Sequence, residues 1–233
     1  MAARGFSTFA VDLRGMGRSE GRRGHIASWS DWIKDAETFI GHVEAHPSAG
    51  EVIPVGHSFG GVLLLSAVIE DAVTPRRFIA SNPALRTKVR VPGWKLALGR
   101  LASRLVPTLA LSNEVSADMI SRDPESVREY RLDPLIHDRI TSRLFTEWRA
   151  AADGVLARSG ELRTPFLLLV SEADRLIDPA GSRELADRAV NTPHEMKVYP
   201  GRYHEPFNDL DANEVFDDIA AWAARDATSP ARS

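Results

Sequence analysis

One stretch constrains the fold of this chain more than any other. A short apolar run at 52–55 leads into Gly-His-Ser-Phe-Gly at 56–60, and a longer apolar run begins at once. The first run is β-branched and predicts a buried strand, whereas the longer run predicts a buried helix. The chain must reverse between them, where glycine avoids backbone clashes. This pattern predicts a nucleophile elbow, with Ser58 at its apex and the Phe59 N–H directed at a developing oxyanion.

The partners that a reactive serine needs lie after later strands. A serine hydroxyl is a weak nucleophile without a base, and the base needs an acid to orient it. In an elbow fold the acid and then the histidine follow the serine along the chain. Asp174 comes just after the strand predicted at 165–171, and His204 comes just after the strand predicted at 196–199. We therefore expect Ser58, Asp174 and His204 to meet at one edge of the sheet.

Other polar residues near these strand ends have structural interpretations. Asp178 is the alternative acid, although its position before Pro179 is more typical of a helix cap. His57 belongs to the turn, and we expect its ring to point away from the chemistry. The histidines and carboxylates show no metal-ligand spacing, so we predict no metal.

Composition narrows the class of function. With 233 residues and 43% hydrophobic content, the chain is long enough for one domain with a sizeable core. The net charge of −3 gives no electrostatic case for nucleic-acid binding, and the absence of cysteine excludes a thiolate nucleophile. No apolar stretch approaches membrane-spanning length, and the start of the chain lacks a signal-peptide apolar region. We therefore predict a cytoplasmic protein without an integral membrane segment.

Strand patterns alternate with helical patterns on both sides of a purely helical stretch. The strands predicted at 6–12, 52–55, 77–81, 165–171 and 196–199 are nearly all apolar. Such strands, separated by helices, predict an α/β fold with a parallel sheet that is covered on both faces.

The helical stretch between the two strand-bearing parts predicts a cap over the sheet edge. The predicted domains are a core at 1–84 and 161–226, a cap at 85–160 and a frayed tail at 227–233. Trp94, Leu98 and Leu101 repeat at helical spacing within the cap. Such a stripe is most often plain packing, and its functional alternative is the lining of an acyl pocket.

Five short motifs together suggest a family. They are Val-Asp-Leu-Arg-Gly-Met-Gly-Arg-Ser-Glu-Gly at 11–21, Gly-His-Ser-Phe-Gly-Gly at 56–61, Ser-Asn-Pro-Ala-Leu at 81–85, Asp-Pro-Leu at 133–135 and Tyr-His-Glu at 203–205. These motifs resemble the monoacylglycerol lipase and lysophospholipase branch of the α/β-hydrolases (serine aminopeptidase S33-like). The resemblance covers nearly the whole chain and is loosest in the cap. It implies an α/β-hydrolase fold, a triad of Ser58, Asp174 and His204, no cofactor, and hydrolysis of fatty-acid esters of glycerol or a related alcohol.

The resemblance also predicts a gap at the start of the chain. Family members have further strands, a His-Gly loop and a helix before the strand predicted at 6–12, on the order of 50 residues. One missing strand would separate 6–12 from 52–55 by roughly 10 Å and leave their backbone groups unpaired. The missing loop would also supply a second oxyanion donor, whose loss costs about 10²–10³ in turnover. We therefore expect an amino-terminally truncated version of a complete hydrolase.

Two alternatives to the lipase interpretation remain open. The same triad serves thioesterases and acyltransferases, and a chain without the oxyanion loop is compatible with a non-catalytic relic that binds lipid or a partner. The expected partner is a small lipid ester, together with transient contact with a membrane surface. The sequence defines neither the natural ester nor the oligomeric state.

Overall fold

A parallel sheet lies at the centre of the molecule, seen here in a computed structural model that describes residues 1–88 and 92–225. The strands are β1 (Val55–His57), β2 (Phe78–Ser81), β3 (Ala110–Ser112), β4 (Arg139–Thr141), β5 (Phe166–Ser171) and β6 (His194–Tyr199). The helices are α1 (Trp29–Glu44), α2 (Phe59–Ile69), α3 (Gly93–Leu105), α4 (Pro124–Leu132), α5 (Ser142–Arg158), α6 (Pro179–Arg188) and α7 (Ala212–Ala223). The predicted tail at 227–233 lies outside the described residues.

The central sheet has the order β1-β2-β5-β6, and all its pairs are parallel. One face packs with α1, α2, α5 and α6 into the larger core, to which the sheet contributes Phe78, Ala80, Phe166, Leu168 and Val170. The other face packs against α7, and that core contains Ile79, Leu167, Leu169, Tyr199, Val215, Ile219 and Trp222. Successive side chains of a strand alternate between faces, so apolar strands bury both. The predicted α/β fold is confirmed.

The helix after β1 is apolar on every side because it is surrounded. Residues 61–69 of α2 are all buried, and α2 packs against β1, α1 and α5. Helix α1 is amphipathic and begins with a capping box between Ser28 and Asp31. In the described part of the chain, no helix is long and apolar enough to cross a membrane.

The strand predicted at 6–12 is not formed. This segment has no regular secondary structure, and Phe9 and Val11 are 46% and 45% exposed. Strand β1 is an edge strand that pairs with β2 alone, and its Val55 is 52% exposed. A strand is stabilised by backbone bonds to a neighbour, and no described segment pairs with 6–12 or with the free side of β1.

The region between β2 and β5 contains strands as well as helices. The prediction that this region is purely helical is wrong, because β3 and β4 form an antiparallel pair. Strands of three residues are too short to carry a recognisable alternation. Helix α5 belongs to both regions: it packs against α3 and also places Leu144, Trp148, Ala152, Val155 and Leu156 in the larger core. The predicted boundary between cap and core at residue 160 stays a prediction.

Candidate active site

Ser58 occupies a sharp turn between β1 and α2. Its backbone has φ 54° and ψ −117°, a conformation that residues other than glycine rarely adopt. A Cβ on Gly56 would lie 2.4 Å from the Gly60 carbonyl oxygen, and one on Gly61 would lie 2.8 Å from Pro83. Close approach of other atoms therefore requires glycine at 56 and 61, whereas a Cβ on Gly60 would meet nothing within 4 Å. Phe59 is the first residue of α2, so its N–H has no acceptor within the helix.

The predicted triad residues form one hydrogen-bonded chain. Nε2 of His204 lies 2.9 Å from Oγ of Ser58, and Nδ1 of His204 lies 2.7 Å from Oδ2 of Asp174. Asp174 is 1% exposed and His204 is 5% exposed. The second oxygen of Asp174 accepts the N–H groups of Leu176 and Ile177 at 2.8 and 2.9 Å. These bonds fix the carboxylate, and the carboxylate in turn orients the imidazole ring.

The alternative acid has a different position. The Asp178 side chain accepts the N–H of Ala180 at 3.0 Å and caps α6. It therefore fills the structural role that its position before Pro179 indicates.

Asn82 joins the loops that carry the three predicted residues, although it entered the sequence analysis only as part of the motif at 81–85 and without a role of its own. Its side chain donates to the His204 carbonyl at 2.8 Å and to Oγ of Ser171 at 2.9 Å, and it accepts the Ser171 N–H at 2.7 Å. Its φ of 40° is left-handed, which asparagine tolerates better than most residues. The backbone around it also holds Ser58, whose N–H donates to Ser81 and whose carbonyl accepts the Ala84 N–H. An Asn-Pro pair directly after a strand was the available signal.

His57 packs against the proposed catalytic base, so the expectation that its ring points away is wrong. Its ring centroid is 4.8 Å from that of His204. Nδ1 lies 3.2 Å from Oγ of Ser81, and Nε2 lies 3.2 Å from Oε1 of Glu205. Burial lowers the pKa of His57, but Glu205, Asp174 and Ser81 together outweigh it and the pKa ends above its ordinary value. Burial raises the pKa of Glu205, but His57, His204 and Asn208 together outweigh it and hold that pKa at about 2.

A buried aspartate fastens the histidine loop to the cap. Asp209 accepts the N–H groups of Arg122, Tyr203 and Leu210 at 2.8, 3.0 and 2.9 Å. It also pairs with the Arg122 guanidinium at 3.0 Å. Burial raises the pKa of Asp209, but these hydrogen bonds outweigh it and the pKa ends below its ordinary value. The Glu205 N–H adds a bond to the Ile120 carbonyl at 2.8 Å. The cap segment 120–122 thus supports the loop that carries His204.

One cluster in the described part of the chain combines side chains of the kinds that bind metals. The side chains of His57, His204 and Glu205 bring nitrogen and oxygen atoms within 4.8 Å of one another. The two ring nitrogens of His204 already contact Ser58 and Asp174, and the two ring nitrogens of His57 face Ser81 and Glu205. We therefore assign no metal to this cluster.

The predicted acyl-pocket residues lie on the outward face of α3. Trp94, Leu98 and Leu101 are 66%, 58% and 52% exposed. A separate cavity of about 500 Å³ lies beside α4, and its lining includes Asn113, Tyr130, Asp133, His137 and Asp138. Burial and the charge of Glu205 both raise the pKa of Tyr130 in its lining. The role of the α3 residues stays a prediction.

Comparison with known proteins identifies the family. The family model described as serine aminopeptidase, S33 (Hydrolase_4) matches residues 1–211. The chain belongs to this family. It is 32% identical over 222 residues to a monoacylglycerol lipase of Mycolicibacterium smegmatis, a match that covers 94% of this chain and 79% of that protein. It is 28% identical to the human monoglyceride lipase, over 93% of this chain and 73% of that protein.

Solved structures agree with this assignment. The crystal structure of a monoacylglycerol lipase from Paleococcus ferrophilus has a TM-score of 0.81 and 31% sequence identity, and the match covers 94% of this chain and 84% of that chain. A soluble variant of the monoglyceride lipase from Saccharomyces cerevisiae, in complex with a substrate analog, has a TM-score of 0.79 at 20% identity, over 91% and 75% of the two chains. The second likeness bears on the fold alone. The predicted α/β-hydrolase resemblance is confirmed.

Proposed function

We propose that this chain hydrolyses fatty-acid esters of small polyols, with monoacylglycerols as the first candidate substrates and lysophospholipids as the second. The family makes the chain a carboxylic ester hydrolase of the lipase type. The observation that carries the proposal is the hydrogen-bonded chain from Ser58 through His204 to Asp174 at a strained elbow. The relatives named monoacylglycerol lipase support the substrate class.

The proposed reaction transfers the acyl group in two halves. His204 Nε2 takes the proton of Ser58 Oγ as that oxygen attacks the ester carbonyl carbon. Asp174 stabilises the imidazolium, and the Phe59 N–H donates to the oxyanion. The tetrahedral intermediate then expels the alcohol, which leaves with the proton from His204. Water attacks the acyl-serine by the same route, and this second half releases the fatty acid and restores Ser58.

The exposed face of α3 suits contact with the acyl chain and with the lipid surface from which it comes. Trp94, Leu98, Leu101 and Leu105 are exposed there, and Lys95, Arg100 and Arg104 are exposed on the same helix. Apolar side chains with flanking basic residues favour the interface of an anionic lipid layer. Transient membrane contact and location in the cytoplasm both belong to this proposal.

The cavity beside α4 suits the alcohol part of the substrate. Its lining offers hydroxyl, amide and carboxylate groups, from Tyr130, Asn113 and Asp133. Such groups bind the free hydroxyls of a glycerol moiety better than a second acyl chain. Its volume of about 500 Å³ is within the usual range of small-molecule sites. This preference favours monoacylglycerols over triacylglycerols.

A fluorophosphonate probe and a monoacylglycerol assay test the proposal together. We expect the probe to label Ser58, and we expect the protein to release fatty acid from monoacylglycerol faster than from a matched thioester. The Ser58→Ala variant is expected to lose both signals without a change in its far-ultraviolet circular dichroism. Labelling without turnover of any ester would contradict the substrate class, and a folded protein that does not label would indicate the non-catalytic relic.

The same assays separate the other activities of this fold. Faster cleavage of the thioester would favour a thioesterase, and transfer of the acyl group to an added alcohol would favour an acyltransferase. Release of an amino-terminal residue from a short peptide would match the description of the family model. We expect none of these three activities to exceed ester hydrolysis.

A further inference from the structure

A partly buried ion pair beside His204 has no role in the reaction described above. The His57 ring lies between two aromatic neighbours, His204 at 4.8 Å and Phe207 at 5.9 Å between ring centroids. Glu205 follows His204 directly in the chain, and its Oε1 lies 3.2 Å from Nε2 of His57. The side chains of His57 and Glu205 are only 20% and 24% exposed. A buried pair of charges is costly to desolvate, so its presence at this site calls for a physical explanation.

The contacts of His57 indicate which protonation state is present. A neutral imidazole has one donor nitrogen and one acceptor nitrogen, whereas an imidazolium has two donors. Both ring nitrogens of His57 face an oxygen, Oγ of Ser81 on one side and Oε1 of Glu205 on the other. The Ser81 hydroxyl can donate or accept, so its contact fits either state of the ring. The Glu205 carboxylate, at ion-pair distance from Nε2, favours the positively charged His57, and the pKa of His57 lies above its ordinary value.

We propose that His57 and Glu205 are positioning residues for His204, which pack against its ring and hold the net charge beside it near zero. This inference rests on the proposed function, because it assigns to His204 the role of the base. A general base must be neutral at the working pH. An uncompensated carboxylate at the position of Glu205 would stabilise the imidazolium of His204 and reduce the fraction of neutral base. The charge on His57 cancels this effect.

The groups that face this cluster come from several elements. Asp174 follows β5 and contacts His204 directly, and it also attracts the charge on His57. His57 ends β1, and Glu205 lies on the histidine loop itself. Tyr130 of α4 stays neutral, because burial and the charge of Glu205 both raise its pKa. With Asp174 fixed by its backbone hydrogen bonds, the charge balance around His204 depends on His57 and Glu205.

The experiment is a double-mutant cycle read by the pH dependence of kcat/KM on a short p-nitrophenyl ester. The acid limb of that profile reports the pKa of His204 in the free enzyme. We expect His57→Gln to move the acid limb up by about one pH unit, because it leaves the Glu205 carboxylate unpaired beside the base. Glu205→Gln should not raise the limb. The double variant should return it to within about 0.3 unit of the unmodified protein, because no unpaired charge remains.

Matched controls separate this effect from a general loss of structure. His42→Gln and Glu37→Gln make the same exchanges at exposed positions of α1 and should leave the profile unchanged. Titration of the His204 ring by NMR, assigned with a His204→Gln variant, gives the same pKa without turnover. Suppose that the protein neither reacts with the fluorophosphonate probe nor hydrolyses an ester, but that His204 titrates as expected in all variants. That result contradicts the proposed function and supports the positioning role of His57 and Glu205.

Two results would overturn the inference. The first is an acid limb, and a His204 pKa, that do not rise in His57→Gln. The second is a rise that persists in the double variant, since His57 would then act without Glu205. If His57→Gln fails to fold, the double variant carries no unpaired buried charge and still permits a comparison. In that case a His204 pKa in the double variant that differs from the unmodified value by about one unit or more overturns the inference.

Discussion

The strand ends around Ser58 and the outward face of α3 are built in opposite ways. At the strand ends, Asn82, Asp174 and His204 are buried and hydrogen-bonded. On α3, the Trp94 and Leu98 side chains are 66% and 58% exposed. A buried polar group that loses its partner costs about 1–3 kcal/mol, so one region tolerates little movement. The exposed face of α3 is stabilised only when another apolar surface covers it. Fixed geometry suits the proposed chemistry, and the uncovered surface of α3 suits the proposed contact with lipid.

The largest effect should come from the acid that orients the base. Asp174→Asn is expected to lower kcat by about 10⁴-fold, because an amide in this position favours the wrong tautomer of His204. The matched control is Asp178→Asn, which keeps the cap of α6 because asparagine caps a helix as well as aspartate does, and which should leave kcat within about twofold and stability little changed. Steady-state kinetics on a short ester and denaturant unfolding measure the two effects. A large loss of kcat in Asp178→Asn, with little loss in Asp174→Asn, would mean that Asp178 and not Asp174 orients His204.

The second effect tests whether the strand ends act as one fixed unit. Asn82→Ala removes three hydrogen bonds, so we expect kcat to fall by about 100-fold from misplacement of His204 and Ser171. The free energy of unfolding should fall by about 2 kcal/mol. Asn82→Gly also lacks the side chain but accepts the left-handed backbone, so it should be the more stable of the two and equally slow. Asn191→Ala, at an exposed position, is the control. Normal turnover in both Asn82 variants would break the comparison.

Local patterns in the sequence were enough to predict the centre of the site. The elbow follows from a β-branched run, close glycines and an apolar helix, which are all neighbours in the chain. Asp174 and His204 follow from the rule that the carboxyl ends of parallel strands lie at one edge. Each of these inferences needs only the position of a residue relative to its own strand.

The inferences that failed depended on distant partners. The segment 6–12 has the composition of a strand, but a strand forms only where a neighbour pairs with it. The orientation of His57 is set by Glu205 and Ser81, which lie far away in the sequence and give no periodic signal. The same holds for Asn82, whose partners lie on two other loops. Long-range side-chain partners are what a single sequence does not display.

The third effect concerns the bond between the cap and the histidine loop. Asp209→Asn should lower the free energy of unfolding by about 2 kcal/mol at neutral pH, because it removes the charge that accepts several N–H groups. The pKa of Asp209 is lowered in the folded state, so its contribution is present above the unfolded pKa and is lost as the pH falls through the folded value. The difference between the two proteins should therefore shrink in acid. Denaturant unfolding at neutral pH and near pH 3 measures it. A difference that does not depend on pH would contradict a role for the charge.

The smallest effect tests the uncovered surface of α3. Leu98→Ser should raise KM for a long-chain ester by about fivefold, equivalent to about 1 kcal/mol of lost apolar contact, and should leave a short ester unchanged. The control is Val190→Ser, which makes a similar exchange at an exposed position outside the cap. A series of esters of increasing chain length measures the effect on soluble substrate, and sedimentation with anionic vesicles measures it on a lipid surface.

A loss seen only with vesicles would assign α3 to surface contact and not to the acyl pocket. A loss on long soluble esters would assign it to both, because an apolar face that binds a single acyl chain also binds a layer of them. Equal kinetics and equal vesicle binding in Leu98→Ser would mean that this face is exposed without functional consequence, and the contrast with the strand ends would then lie in packing alone.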